Sequence, residues 1–216
     1  LAVYNYFIPL YNFGSYKAHY SFYEECGVHY IDDQAYASSA IPCFEAMQIY
    51  VQSKLMYDTS LSYNDLCYVF IDHYYGPAAG TFREYFDFFR TYYEYLAETK
   101  SINGSIWQEM KKEEYWPTEV VIELLDYLDR GLEDIEPLKE TDNARWQVLS
   151  DRLRRERLTP IYMMFTFHMN ELSREKQLEY LSDMKVYTKK YDITETRESA
   201  KDISTLIETW EARIGG

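Results

Sequence analysis

The chain has 216 residues, 47% apolar and 27% charged, which is enough for one large globular domain or two small ones and argues against disorder. Its 36 acidic against 22 basic side chains leave a formal charge of −14, which argues against a nucleic-acid backbone or an anionic membrane as the main partner, since both need clustered Lys and Arg. The anomaly is aromatic: Phe, Trp and Tyr make up 18% of the chain and Tyr alone supplies 24 residues, a side chain whose apolar body and polar tip suit wet grooves, sugar-stacking surfaces and half-buried helix faces alike.

The N-terminal run LAVYNYFIPLYNF lacks a basic leader and an initiator Met, so it does not read as a signal peptide and reads instead as the start of a piece cut from a longer protein. Residues 2–8 and 28–32 are β-branched and aromatic and predict two strands. Between them, Ser15 as N-cap, Tyr16, Tyr20 and Tyr23 on one face, and Gly27 past the end predict a helix. Strand, helix, Gly, strand is a βαβ-like pattern, whose ligands gather at the C-terminal ends of the strands.

After a loop at 33–41 the pattern is helical. Pro42 opens a helix to about Tyr57; Ser62 with Asp65 resembles a capping box and opens one that stops at Gly76-Pro77. From 78 to about 100, Phe82, Tyr85, Phe86, Phe89, Tyr92, Tyr93 and Leu96 recur three and four apart, as on a long aromatic-faced helix. Further helices are expected at about 105–114, 117–135, 142–170, 173–190 and 199–213, with a kink or break at Pro160. The one basic cluster, 152–157 (RLRRER), is flanked by acids and reads as a solvated, salt-bridged face. No run of about 20 apolar residues is present, so no membrane span is expected.

No GxSxG, P-loop, HExxH, EF-hand loop or GxGxxG occurs, and no cofactor is expected. Cys26, Cys43 and Cys67 have neither CxxC spacing nor a nearby His at ligand distance, so neither a metal site nor a disulfide framework is indicated. His19, His29, His73 and His168 are scattered and read as surface or core histidines rather than bases. The informative place is the exit of the second strand, where Asp32, Asp33, Gln34 and Tyr36 combine carboxylate and amide grips for hydroxyls with a ring for stacking. Tyr4, Asn5 and Tyr6 stand at the exit of the first strand; the same two acids would equally serve to cap a turn.

Read together, YNYFIPLYNF, ECGVHYIDDQAY, YVQSKLMYD, DHYYGPAA and REYFDFF resemble the C-terminal portion of the domain-of-unknown-function 4838 family, over roughly residues 1–100. The resemblance implies a large bacterial, glycoside-hydrolase-like parent with a (β/α)₈ barrel (a TIM barrel) followed by helices, located at the cell surface, in the periplasm or outside the cell. Residues 1–41 would then be the barrel's last two strands with their helix, 42–100 buttressing helices and 101–216 a C-terminal helical extension. The fold expectation is therefore mainly α, a helical array preceded by a βαβ-like remnant. The family usually has Glu-Gln where this chain has Asp33-Gln34, one methylene shorter.

Glycoside hydrolysis needs two carboxyls flanking the bond, and the resemblance implies that these lie upstream of residue 1, so the catalytic residues are not identified here. The first expectation is a fragment of a carbohydrate-active protein that supplies pocket wall and helical scaffold, is inactive alone, and has carbohydrate and the upstream barrel as partners. The second is a Tyr-rich helical module that binds a protein or glycan without chemistry. An acidic sugar would need a cation, and Lys17 and Arg83 are the basic candidates nearby. Strand edges cut from a barrel favour self-association, so a homo-oligomer of the isolated chain is a further expectation.

Overall fold

A computed structural model describes residues 7, 11–32, 43–100, 112–196 and 202–215. Ser15 does not cap the first helix with its side chain. It ends a 3₁₀ turn, Phe13–Ser15, that leads directly into α1 (Tyr16–Glu25), and its hydroxyl donates back to the Asn12 carbonyl at 2.8 Å. The other end closes as expected from Gly27. With φ +69° at Gly27, its amide donates to the Glu24 carbonyl and the Val28 amide to the Tyr23 carbonyl, both at 2.9 Å, the paired bonds of a Schellman motif.

That closure bears on the expected βαβ unit, which the structure overturns. No strand occurs among the described residues, and 28–32 is irregular. Val28 has spent its amide on the helix end, while Val28, His29 and Tyr30 are solvent-exposed and pair with no strand among the described residues. A β-prone segment forms a strand only when a ladder satisfies its backbone groups. Of the first expected strand only Phe7 is described; it is a bend, its amide reaches the Thr196 carbonyl at 3.4 Å, and its ring lies 5.0 Å from that of Tyr162. Phe7 thus packs on the C-terminal part of the chain rather than on 28–32. Among the described residues, the isolated antiparallel bridge Glu195–Asp202 is the one β-type pairing. The fold is mainly α.

The helices follow the periodicity. α2 (Glu45–Tyr57) and α3 (Tyr63–Tyr75) bury one face each, and Ser62 caps α3 by accepting from the Asp65 amide at 3.3 Å. α4 (Ala79–Thr99) buries Phe82, Tyr85, Phe86, Phe89 and Leu96 between α3 and α5 (Thr118–Ile135). The helix expected at 105–114 falls mostly outside the described residues, and Glu113–Tyr115 is a 3₁₀ turn. After a single turn, Leu138–Thr141, comes α6 (Asn143–Phe167), the most buried helix, which packs on α5 and α3. It runs through Pro160 without a break: Pro160 is buried among packed side chains, and that packing outweighs the backbone bond that proline forgoes. α7 (Arg174–Lys190), capped by Ser173, and α8 (Ile203–Gly215) complete the array. No helix among the described residues is long and apolar enough to cross a membrane.

The RLRRER cluster is salt-bridged, but it is not a solvated face. Glu156 and Arg157 are buried. Arg157 on α6 meets Asp129 of α5 at 2.6 Å, Glu179 of α7 at 3.2 Å and, also on α7, Asp183, so one guanidinium ties three helices. Glu156 reaches the other way. Its carboxylate accepts from the Phe44 amide at 3.0 and 3.3 Å, from the Cys43 amide, and from the Tyr75 hydroxyl at 3.2 Å. Cys43 and Phe44 both have positive φ, 82° and 60°, a conformation costly for residues with side chains. It swings the Phe44 ring among those of Phe82, Tyr85, Phe86 and Phe89, with centroids 5.3 to 6.0 Å away.

Burial pushes the Glu156 carboxyl above its ordinary value, an effect that its hydrogen bonds and Arg155 only partly offset. Its raised folded-state pKa means that its stabilising contribution is complete below the ordinary glutamate range and is lost as pH rises through the raised value. Two outcomes follow for unfolding followed by circular dichroism. Glu156→Ala, which strands the buried amides and the Tyr75 hydroxyl, should cost about 3–5 kcal/mol. In Glu156→Gln, which cannot titrate, the stability deficit relative to the native chain should shrink as pH rises from 4 to 7.

Candidate functional site

The site expected from sequence is represented by one described residue. Asp32 is exposed at the end of the irregular segment; Tyr4, Asn5, Tyr6, Asp33, Gln34 and Tyr36 lie outside the described residues. Val28, His29 and Ile31, just before Asp32, line a pocket of about 230 Å³ with Tyr20, Met56 and the 93% exposed Tyr57. Its far wall is fixed to α1. The Thr59 hydroxyl donates to Glu24, and the Lys17 ammonium donates to the carbonyls of Thr59, Ser60 and Leu61 at 3.2, 3.4 and 2.6 Å. Lys17 therefore closes the loop after α2, while Arg83 pairs with Asp72 and lies over the Tyr68 ring at 5.0 Å.

A larger concavity, an open groove of about 620 Å³, lies where the 3₁₀ turn before α1 meets the start of α3 and the middle of α4. Tyr11 and Asn12 come from the segment just before the first, Tyr63 and Asn64 from the second, Arg90 and Glu94 from the third. The groove's aromatic lining is Tyr11 and Tyr63, and the Tyr11 ring is backed at 6.3, 6.5 and 6.0 Å by those of Phe86, Phe89 and Tyr93. The Tyr11 and Tyr63 hydroxyls are 3.0 Å apart. Burial is the main force that pushes both phenols above their ordinary value, so each stays protonated and neutral at physiological pH.

The polar groups are held in place. Arg90 donates to the Asn64 side-chain oxygen at 2.8 Å and pairs with Asp87 at 3.0 Å, its guanidinium 5.4 Å from the centre of the Phe86 ring. Asp87 in turn accepts from the Tyr68 hydroxyl at 2.9 and 3.0 Å. The side-chain oxygen of Asn12 is shielded from solvent and has no hydrogen-bond donor among the described residues. A buried acceptor of this kind is satisfied by a water or a ligand hydroxyl. Glu94, one helical turn beyond Arg90, is exposed on the groove's edge. The groove thus offers fixed donors, fixed acceptors and an aromatic surface.

Sequence reasoning selected the dipeptide Tyr4-Asn5 and passed over the same dipeptide at 11–12 and 63–64. The signal was the residue pair itself, but nothing local shows that two copies 52 positions apart face one another. The remaining histidine of note, His168, is buried, with one ring nitrogen 2.6 Å from the Trp116 carbonyl and the other 3.2 Å from Glu171, and it joins α6 to the start of α5. Cys43 and Cys67 are buried thiols and Cys26 is exposed.

Gly14 is where this groove is most sensitive. A Cβ there would come within 3.0 Å of the Tyr11 ring and hydroxyl, and that ring is backed by three others. Gly14→Ala should cost about 1–3 kcal/mol in urea denaturation and alter the near-ultraviolet dichroism of tyrosine, with helix content unchanged.

No curated protein and no solved structure matches the chain. A family model does: that of a domain of unknown function, DUF4838, over residues 1–87. The match takes in Tyr11, Asn12, Tyr63 and Asn64 and stops inside α4, short of Arg90 and Glu94. Over these 87 of its 216 residues the chain is similar to the DUF4838 family.

Proposed function

We propose that this chain binds carbohydrate without catalysing its hydrolysis, serving as pocket wall and helical scaffold for a carbohydrate-active protein. The observation that carries the reading is the groove between the 3₁₀ turn, α3 and α4: a tyrosine wall beside Asn12, Asn64, Arg90 and Glu94. Sugar rings present an apolar face to aromatic side chains and a ring of hydroxyls that both donate and accept, which is the mixture these residues supply. The Asn12 oxygen, shielded and without a donor, is the group most in need of a hydroxyl.

Binding is favoured over hydrolysis by the carboxylate inventory. Hydrolysis needs an acid and a second carboxyl on opposite sides of the bond, at about 5–5.5 or 6.5–9.5 Å separation. Among the described residues Glu94 is the one carboxylate lining the groove, while Asp87 is engaged with Tyr68 and Arg90. Under this reading the catalytic carboxyls belong to other parts of the parent protein.

Calorimetric titration with a panel of oligosaccharides tests it. The native chain should bind at least one member, and Asn12→Ala should weaken that binding about tenfold or more, as expected for about 1.4 kcal/mol from one lost buried hydrogen bond. Absence of binding across the panel, or an Asn12→Ala affinity equal to the native one, would refute the assignment of this groove.

A further inference from the structure

The charges around the groove bear on which sugars it takes, an inference that rests on the carbohydrate reading above. We infer that the groove selects neutral, hydroxyl-only sugars and rejects those that carry a carboxylate. Arg90 is the cation lining it, and Arg90 is already neutralised: its ion pair with Asp87 sums to zero, and a second guanidinium nitrogen is committed to Asn64. Asp87 is held in that pairing by the Tyr68 hydroxyl, so releasing Arg90 to an incoming anion would leave an oriented carboxylate behind.

Glu94 then decides the sign. It lines the groove four residues after Arg90, on the same side of α4, and pairs with no cation among the described residues. The N-terminus of α1, which follows the groove-lining Gly14 and Ser15, contributes only roughly half a positive charge, which does not cancel a full carboxylate. Lys17 and Arg83 bring no relief, because one is bound to three carbonyls and the other to Asp72. A uronate carboxylate would therefore meet net negative charge, on a chain already at −14. A neutral sugar meets no such penalty. Its hydroxyl protons are accepted by the Asn12 oxygen and by Glu94, and its hydroxyl oxygens accept from the remaining N–H groups of Arg90 and from the Asn64 amide.

The test uses the full chain and pairs of oligosaccharides that differ only in oxidation of C6, such as gluco- against glucurono- and galacto- against galacturono-oligomers. Titrations are run at about 20 and about 200 mM salt, where screening lengths differ about threefold. The neutral member should bind about fivefold more tightly or better, the factor expected for one like-charge contact near 4 Å in water. The preference should shrink at the higher salt and shrink again in Glu94→Gln, an exposed position whose substitution leaves the fold intact by circular dichroism. A uronate that binds as tightly as its neutral counterpart overturns the inference and leaves the carbohydrate reading standing. Failure of both members to bind removes that reading and the inference together. A neutral preference indifferent to salt and to Glu94→Gln overturns the electrostatic selection argued here.

Discussion

The contact on which most of the rest depends is a buried carboxylate gripping two backbone amides. Glu156, in the middle of α6, accepts from the amides of Cys43 and Phe44 across more than a hundred residues of sequence. Consecutive amides turned to one side by left-handed backbone form a natural anion cradle, and here the anion is the protein's own. The grip sustains two residues in a backbone conformation that would otherwise cost on the order of 1–3 kcal/mol each. In return it fixes the entry to α2 and drives Phe44 into the aromatic face of α4. The stacked pair Tyr75 and Phe82, at 3.6 Å, completes the arrangement, since the Tyr75 hydroxyl is also bonded to Glu156.

From that anchor the groove follows geometrically. The face of α4 that buries Phe82, Tyr85, Phe86 and Phe89 turns through Arg90 and Glu94 towards the Tyr11–Asn12 turn and the start of α3. Tyr11 belongs to both regions, with its ring in the aromatic cluster and its hydroxyl against Tyr63. The groove is thus the polar outcrop of the core, and its side chains are positioned by the packing that stabilises the fold. Such preorganisation lowers the ordering cost of binding, which otherwise consumes much of the interaction energy.

The surplus of acids has a structural counterpart, because the cations that matter are placed against carboxylates or carbonyls. Arg157 holds three acids at the junction of α5, α6 and α7, Arg90 holds Asp87, and Lys17 closes a loop. Breaking the Arg157 cluster would strand several partly buried carboxylates, so it contributes more to which packing is chosen than to net stability. What remains exposed is largely negative, which suits solubility and uncharged ligands.

The sequence by itself determined the helices, because helical periodicity and capping are local. Ser62 and Ser173, the aromatic spacing of 82–96, and the Gly27 stop all appear in the structure within a residue or two. The family resemblance was legible for the same reason, as a run of consecutive residues. Tertiary structure alone decided the rest. Residues 28–32 have strand composition, yet without a ladder their backbone found a helix cap and solvent. Pro160 reads as a break, yet packing carries the helix through it. RLRRER reads as a surface, yet its Glu156 and Arg157 are buried. The groove could not be read at all, since Tyr11, Tyr63 and Arg90 come together only when three elements pack. Local propensity is a matter of a few tenths to about 1 kcal/mol per residue, and burial, pairing and neighbours from elsewhere in the chain outweigh it wherever the two disagree.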